Sequence, residues 1–258
     1  MVVTIEIGGI LERKLRRLAE MGLYASVAEA VREAVRSMLQ SLDLRSLALE
    51  LYVSRGSTLH YAAEFADETF RGFIDYLLER GVTPSIGAVV PEDYEAPRSG
   101  VLVVDALTAY TLYSSGLADL LSHLSSEGYV FEAPSAIESQ LHLLDAWRIR
   151  RGFRPVDGLA LADIRVPEEE PRDMLATPLE AAVLSYSARE GAVLLSDDYR
   201  LRQKAREMGV EARSSLSLVT MYIRSVGEPP ASLPEIVMSA RAIPLLIPRS
   251  ALEAWGVD

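Results

Sequence analysis

The sequence predicts an α/β chain in which a parallel sheet flanked by helices fills the second half, preceded by a strand-helix-helix segment and a small all-α segment. Three observations support this. The runs Val101–Val104 and 192–195 are continuously apolar, as expected for strands buried on both faces. Helical patterns separate these runs, the order that produces a parallel sheet. Before residue 100 the apolar residues fall instead on helical stripes, apart from one alternating run at residues 3–7.

The chain has 258 residues, 49% of them hydrophobic, enough for one large or two modest cores and too apolar for disorder. Its net charge of −11 disfavours a surface that coats nucleic acid nonspecifically. The absence of cysteine excludes disulfides, a thiolate zinc site and a cysteine nucleophile. Metal chemistry therefore falls to oxygen ligands or to His60, His123 and His142, whose spacing matches no metal motif. Apolar runs fall short of the roughly 18 to 20 residues of a membrane span, and the N-terminus alternates where a signal segment would be basic and apolar. A cytoplasmic protein with no membrane partner is expected.

Val3, Ile5 and Ile7 alternate with Val2, Thr4 and Glu6 as in a strand, which Gly8 and Gly9 end. Ile10, Leu11, Leu15 and Leu18 then form one helical stripe, stopped at Met21 and Gly22. Ser26, with Glu29 three residues on, forms a capping box opening a second helix. Its apolar face holds Val27, Ala30, Val31, Ala34, Val35, Met38 and Leu39. Residues 1–42 cannot bury this much apolar surface alone and need a second copy. The strand-helix-helix order and the run at 23–36 resemble ribbon-helix-helix proteins, in which two chains pair their strands into a ribbon that enters the DNA major groove. The resemblance implies a homodimer, with any higher oligomer left open, and a groove-facing side formed by Val2, Thr4 and Glu6. Base readers of that family use basic or amide side chains there, whereas Glu6 meets phosphate repulsion. Dimerisation is accordingly better supported than DNA binding.

Residues 43–86 read as helical: a stripe of Leu44, Leu47, Ala48, Leu51 and Tyr52, a break at 55–58, a short helix at 59–66, and another capped by Thr69. The segments 48–52, 57–64 and 73–82 resemble small helix-turn-helix, antitoxin-like proteins. Arg71 stands near Glu68 and Asp75, a charge balance that favours protein contact over groove reading. Pro84, Pro91, Pro97, Gly87 and Gly100 mark a linker over 87–98, with the domain boundary near residue 98.

In the second half Asp105 follows the strand Val101–Val104, where open α/β sheets place their ligands. A helix over 109–122, a strand over 129–132 and a helix opening at Pro134 and Ser135 follow; this last helix carries Glu138, Gln140 and His142. Glu180 lies in the first turn of a helix that begins at Pro178 and is ended by Gly191. A strand over 192–195 then runs into Ser196, Asp197 and Asp198, before a helix over 201–208 and a short strand around Val210. A lone aspartate after a strand commonly caps the next helix, which remains open here for each acid taken singly.

Asp105, Glu180 eleven positions before Gly191, and the stretch 194–198 with 201–210 behind it resemble the PIN domain, the nuclease fold of VapC-type toxins, over about residues 99–225. The resemblance implies a PIN-like α/β fold whose carboxylates converge on one or two Mg²⁺ or Mn²⁺ ions, hard cations that take oxygen ligands, for hydrolysis of an RNA phosphodiester. The implied catalytic set is Asp105, Glu138, Glu180 and Asp198, and the implied ligands are Asp105, Glu180 and Asp197 or Asp198, with register favouring Asp198. The family's second acid falls on Gln140, which can hold a water but supplies no charge. Glu138 lies two residues away, about 200° around the helix. Either the helix starts differently and Glu138 turns inward, or the site is weakened. The proline-rich tail, 226–258, is expected to pack on the domain without chemistry of its own.

These elements together imply a metal-dependent endoribonuclease, a fused single-chain relative of a toxin and antitoxin pair whose N-terminal modules dimerise and restrain it. The alternative is a noncatalytic dimeric regulator that binds DNA or protein and keeps a vestigial PIN domain.

Overall fold

The computed structural model describes residues 4, 6–98, 100–137, 158–166 and 174–257. It divides into two compact units, Met1–Leu47 and Ala48–Asp258.

In the first unit α1 (Gly9–Glu20) ends at Gly22, whose φ of +76° suits glycine, with Gly22 N donating to Ala19 O and Leu23 N to Leu18 O. α2 (Val27–Ser41) opens at Ser26, whose hydroxyl accepts from Glu29 N at 3.1 Å. The reciprocal arm of the expected capping box falls one residue early, on Ala25 N, 2.5 Å from Glu29 Oε2. Only Ala30 is buried in these two helices. Thr4 and Glu6 are exposed and belong to no strand, whereas Val2 lies outside the described residues. A ribbon strand takes its hydrogen-bond partner from another chain, so Thr4 and Glu6 are not expected to pair within one chain.

The second unit is built on a five-stranded, all-parallel sheet of order β3-β2-β1-β4-β5, comprising β1 (Val101–Val104), β2 (Val130–Pro134), β3 (Leu159–Ala162), β4 (Val193–Leu195) and β5 (Ala212–Arg213). The coarse expectation of a parallel sheet flanked by helices is met. Alternate side chains of the central strands enter two cores. Leu102, Val104, Val193 and Leu195 join the larger, and Val103 and Leu194 the smaller. Burial on both faces explains the unbroken apolar runs.

α3 (Leu44–Arg55), α4 (Leu59–Phe65) and α5 (Phe70–Glu79) contribute Tyr52, Leu59, Phe70, Phe73, Ile74 and Leu77 to the same larger core as Leu102 and Val104. The boundary expected near residue 98 is therefore not a boundary of packing. The segment expected as a linker is bolted down instead. It contains a 3₁₀ turn (Pro91–Tyr94), and the carboxylate of Asp93, 0% exposed, accepts from Val89 N, Val90 N, Arg202 Nη2 at 2.7 Å and Arg206. Gly87, at φ +87°, is required because a Cβ would stand 2.7 Å from Leu246 N.

The helix expected over 109–122 is two, α6 (Ala106–Ser115) and α7 (Asp119–Ser126), broken by left-handed Gly116. β3 has no counterpart among the expected strands, and β5 lies two residues beyond the expected position because Val210 still closes the preceding helix through its bond to Ala205 O. α8 (Pro178–Glu190), α9 (Tyr199–Glu207) and α10 (Ser217–Val226) complete the layers. In the tail, α11 (Leu233–Ala242) and α12 (Arg249–Ala254) bring Ile236, Ala240, Ala251 and Trp255 into the larger core. Among the described residues no helix is long and apolar enough to cross a membrane.

Candidate carboxylate site

The order β3-β2-β1-β4-β5 makes the crevice between β1 and β4 the topological switch point, where chain connections leave in opposite directions and ligands of open α/β sheets bind. Asp105 follows β1 and Asp198 follows β4, one on each side of it. Glu180 joins them from the first turn of α8.

Each of these acids also caps a helix. Asp105 Oδ1 accepts from Thr108 N at 2.6 Å and opens α6. Asp198 Oδ1 accepts from Arg200 N at 2.9 Å and opens α9. Glu180 Oε2 accepts from Thr177 N at 2.7 Å in a full capping box that opens α8. Three helix N-termini thus converge, each carrying roughly half a positive charge, which lets three acids share an interior position. The cap and the site are not alternatives for these residues.

The remaining oxygens are mostly taken as well. Ser196 Oγ donates to Asp105 Oδ2 at 2.5 Å and accepts from Asp198 N at 3.2 Å. Leu59 N donates to Asp198 Oδ2 at 2.5 Å, and Thr58 Oγ1 donates to Glu180 Oε2 at 2.8 Å. Glu180 Oε1 is buried and has no hydrogen-bond partner among the described residues; the ring Nδ1 of His60 stands 4.0 Å away.

Burial dominates the electrostatics. It pushes Asp105 up to about 6 from an ordinary 3.8, against the hydrogen bonds of Ser196 and Thr108 and with help from the Asp198 charge. Glu180 is pushed well above its usual range by burial and then by Asp198, and Asp198 is raised by burial against the donation of Leu59 N. Tyr52, beside Asp198, is pushed up to about 12 by burial and that same charge.

Asp197, adjacent in sequence, faces elsewhere. Its oxygens accept from Thr111 Oγ1, from Ser214 Oγ at 2.7 Å, from Ser215 N at 2.9 Å and from Ser215 Oγ at 2.7 Å. This fully satisfied carboxylate anchors the turn before α10 and is not part of the cluster. Of the residues expected at the site, Asp105, Glu180 and Asp198 come together. Glu138 and Gln140 lie outside the described residues, as does His142. Thr58, Leu59 and Ser196 were not anticipated. Ser196 had a signal in its place at the end of the β4 strand, whereas Thr58 and Leu59 belong to a helix start remote in sequence.

The donor chemistry of three carboxylates fits a hard divalent cation. In the arrangement seen, protein donors occupy the oxygens other than Glu180 Oε1, and among the described residues no group of three His, Asp or Glu side chains is set to hold a metal ion. Comparison with protein-family models, with curated proteins and with solved structures gives no match.

Proposed function

We propose that this chain is a metal-dependent endoribonuclease of the PIN type, with Asp105, Glu180 and Asp198 as its anionic centre, restrained in the conformation described. The observation that carries the proposal is the convergence of three buried carboxylates on the switch-point crevice with one buried oxygen, Glu180 Oε1, left unsatisfied. Concentrating like charges in the interior raises their proton affinity and costs stability, an arrangement that proteins keep chiefly at functional sites. The resemblance of residues 194–198 and 201–210 to PIN nucleases supports RNA as the substrate class.

Mg²⁺ or Mn²⁺ at this centre would supply the positive charge that phosphodiester hydrolysis needs. The chain's own contribution is positioning: Ser196 orients Asp105, Thr177 N orients Glu180, and the first turn of α9 orients Asp198. Titration of Mn²⁺ by calorimetry, with cleavage of a mixed single-stranded RNA pool in the same buffers, tests this. Heat of binding and cleavage are expected in the wild type and lost together in Asp105→Asn. Metal indifference of the wild type, with no cleavage, overturns the proposal.

A noncatalytic dimeric regulator is the second reading, favoured by one observation: neutral protein donors meet nearly every oxygen of the cluster, as in a structural hub.

A further inference from the structure

We propose that residues 57–60 form an intramolecular plug over the carboxylate cluster, latched by Arg200, and that this plug and a divalent cation compete for the same oxygens. The inference rests on the carboxylate centre proposed above and concerns its regulation.

Ser57 and Thr58, in the connection between α3 and α4 where chain is ordinarily solvated, and Leu59 and His60, in the first turn of α4, are each at most 1% exposed. Thr58 and Leu59 donate to the cluster. Leu59 N meets Asp198 Oδ2 and Thr58 Oγ1 meets Glu180 Oε2, so one dipeptide bridges acids that lie on different elements. The His60 ring stands beside Glu180 Oε1 and packs edge-on against Phe70. Thr58 N is held by Leu175 O at 3.0 Å, which fixes the segment from the side of α8.

Arg200 is the latch. Its guanidinium donates to Tyr52 O and, at 2.9 Å, to Ser57 O, and it lies 4.0 Å over the Tyr52 ring. The residue two positions after Asp198 therefore grips both the end of α3 and the start of the plug. Gly56, at φ +76° with open space around it, supplies a turn between them.

Every hydrogen bond described to the three carboxylates comes from a neutral N–H or O–H group. Such donors satisfy lone pairs without cancelling charge, and the Arg200 charge offsets only part of the burial penalty on Asp198, whereas a divalent cation both satisfies lone pairs and cancels charge. The plug is thus a weaker partner than the ion would be, and apparent metal affinity falls by the fraction of molecules that are open. Movement of residues 57–60 frees Asp198 Oδ2 and removes the Thr58 donor from Glu180 Oε2 at the cost of drawing Leu59 from the larger core, while Ala62 and Ala63 stay in it.

The test uses the full chain and two readouts other than cleavage: Mn²⁺ affinity by calorimetry, and amide hydrogen exchange over residues 57–62 with and without Mn²⁺. Mn²⁺ is expected to accelerate exchange of this segment in the wild type, and Arg200→Ala to tighten Mn²⁺ binding by about tenfold. The wild-type exchange measurement stands even if Arg200→Ala misfolds, and Arg200→Lys, which keeps the charge but loses the planar fork, provides a milder latch variant. Equal Mn²⁺ affinity in wild type and latch variants, with protection of 57–62 unchanged by metal, overturns the plug and leaves the metal centre standing. Failure of every folded variant to bind Mn²⁺ overturns the centre and the plug together.

Discussion

Asp197 and Asp198 are neighbours in sequence with opposite fates. Asp197 is satisfied by Thr111, Ser214 and Ser215, whereas Asp198 is grouped with Asp105 and Glu180 under raised proton affinity. The sign of the resulting pH dependence follows from the direction of the shifts. Asp105 has a folded value of about 6 against an ordinary 3.8, so it binds its proton more tightly folded than unfolded. The stability this contributes is complete below about pH 4 and is lost as pH rises through 6. Glu180 and Asp198, also raised, act in the same direction. Asp93 opposes them: burial pushes it up, but Arg202, Val90 N and Arg206 hold it below its usual range, so its contribution is lost as pH falls. In metal-free buffer the melting temperature should fall between pH 5 and pH 7. Asp105→Asn should flatten that slope and raise stability at pH 7 by roughly 2 to 3 kcal/mol, read by thermal unfolding at pH 5, 6 and 7. A melting temperature independent of pH over this interval would show that the cluster is not strained.

Among the elements, the strap over 87–98 departs furthest from expectation. Proline, glycine and acidic residues read as an exposed linker, yet Asp93 and Arg202, both 0% exposed, pin it to α9. The Arg202 guanidinium also donates to Ser196 O and Gly87 O, which links the strap to the chain at the end of β4. Removing one member of a buried pair leaves the other charge uncompensated, so Asp93→Asn should cost about 3 to 5 kcal/mol in chemical denaturation. A cost below about 1 kcal/mol would mean that solvent reaches Arg202 and compensates its charge, as at a surface pair. Helices whose signals are local were legible: Ser26 and Thr69 cap the helices they precede. The strap was not, because its partner Arg202 lies 109 residues away from Asp93.

At the scale of the whole molecule, the two units bury their apolar groups unequally. The unit Ala48–Asp258 has two cores, whereas α1 and α2 bury only Ala30 and leave Ile10, Leu11, Met38 and Leu39 exposed by 45% to 67%. A groove of about 990 Å³ in this unit is lined by Val27, Val31, Val35 and Leu39, with Arg16, Arg32 and Arg36 beside it and Glu12 paired to Arg16. Two helices without a core leave an apolar face to cover, and a two-fold axis sets the same apolar face of a second copy against it. We therefore expect a homodimer through residues 1–42, measured by sedimentation, that Val35→Glu with Leu39→Glu converts to a monomer while the second unit keeps its melting transition. A wild-type monomer at micromolar concentration would refute it.

By itself the sequence determined the α/β order, the caps at Ser26 and Thr69, the stop at Gly191, and the acids at the ends of β1 and β4, because periodicity and capping act over a few residues. Tertiary structure alone decided three further matters. It placed the division of the chain at Leu47 and Ala48, because Tyr52, Phe70 and Phe73 share a core with the sheet. It turned Asp198 to the cluster and Asp197 away from it. It set Thr58 and Leu59 over Glu180 and Asp198 across separations of 122 and 139 residues, a pairing that no local pattern encodes because it exists only once both cores have closed.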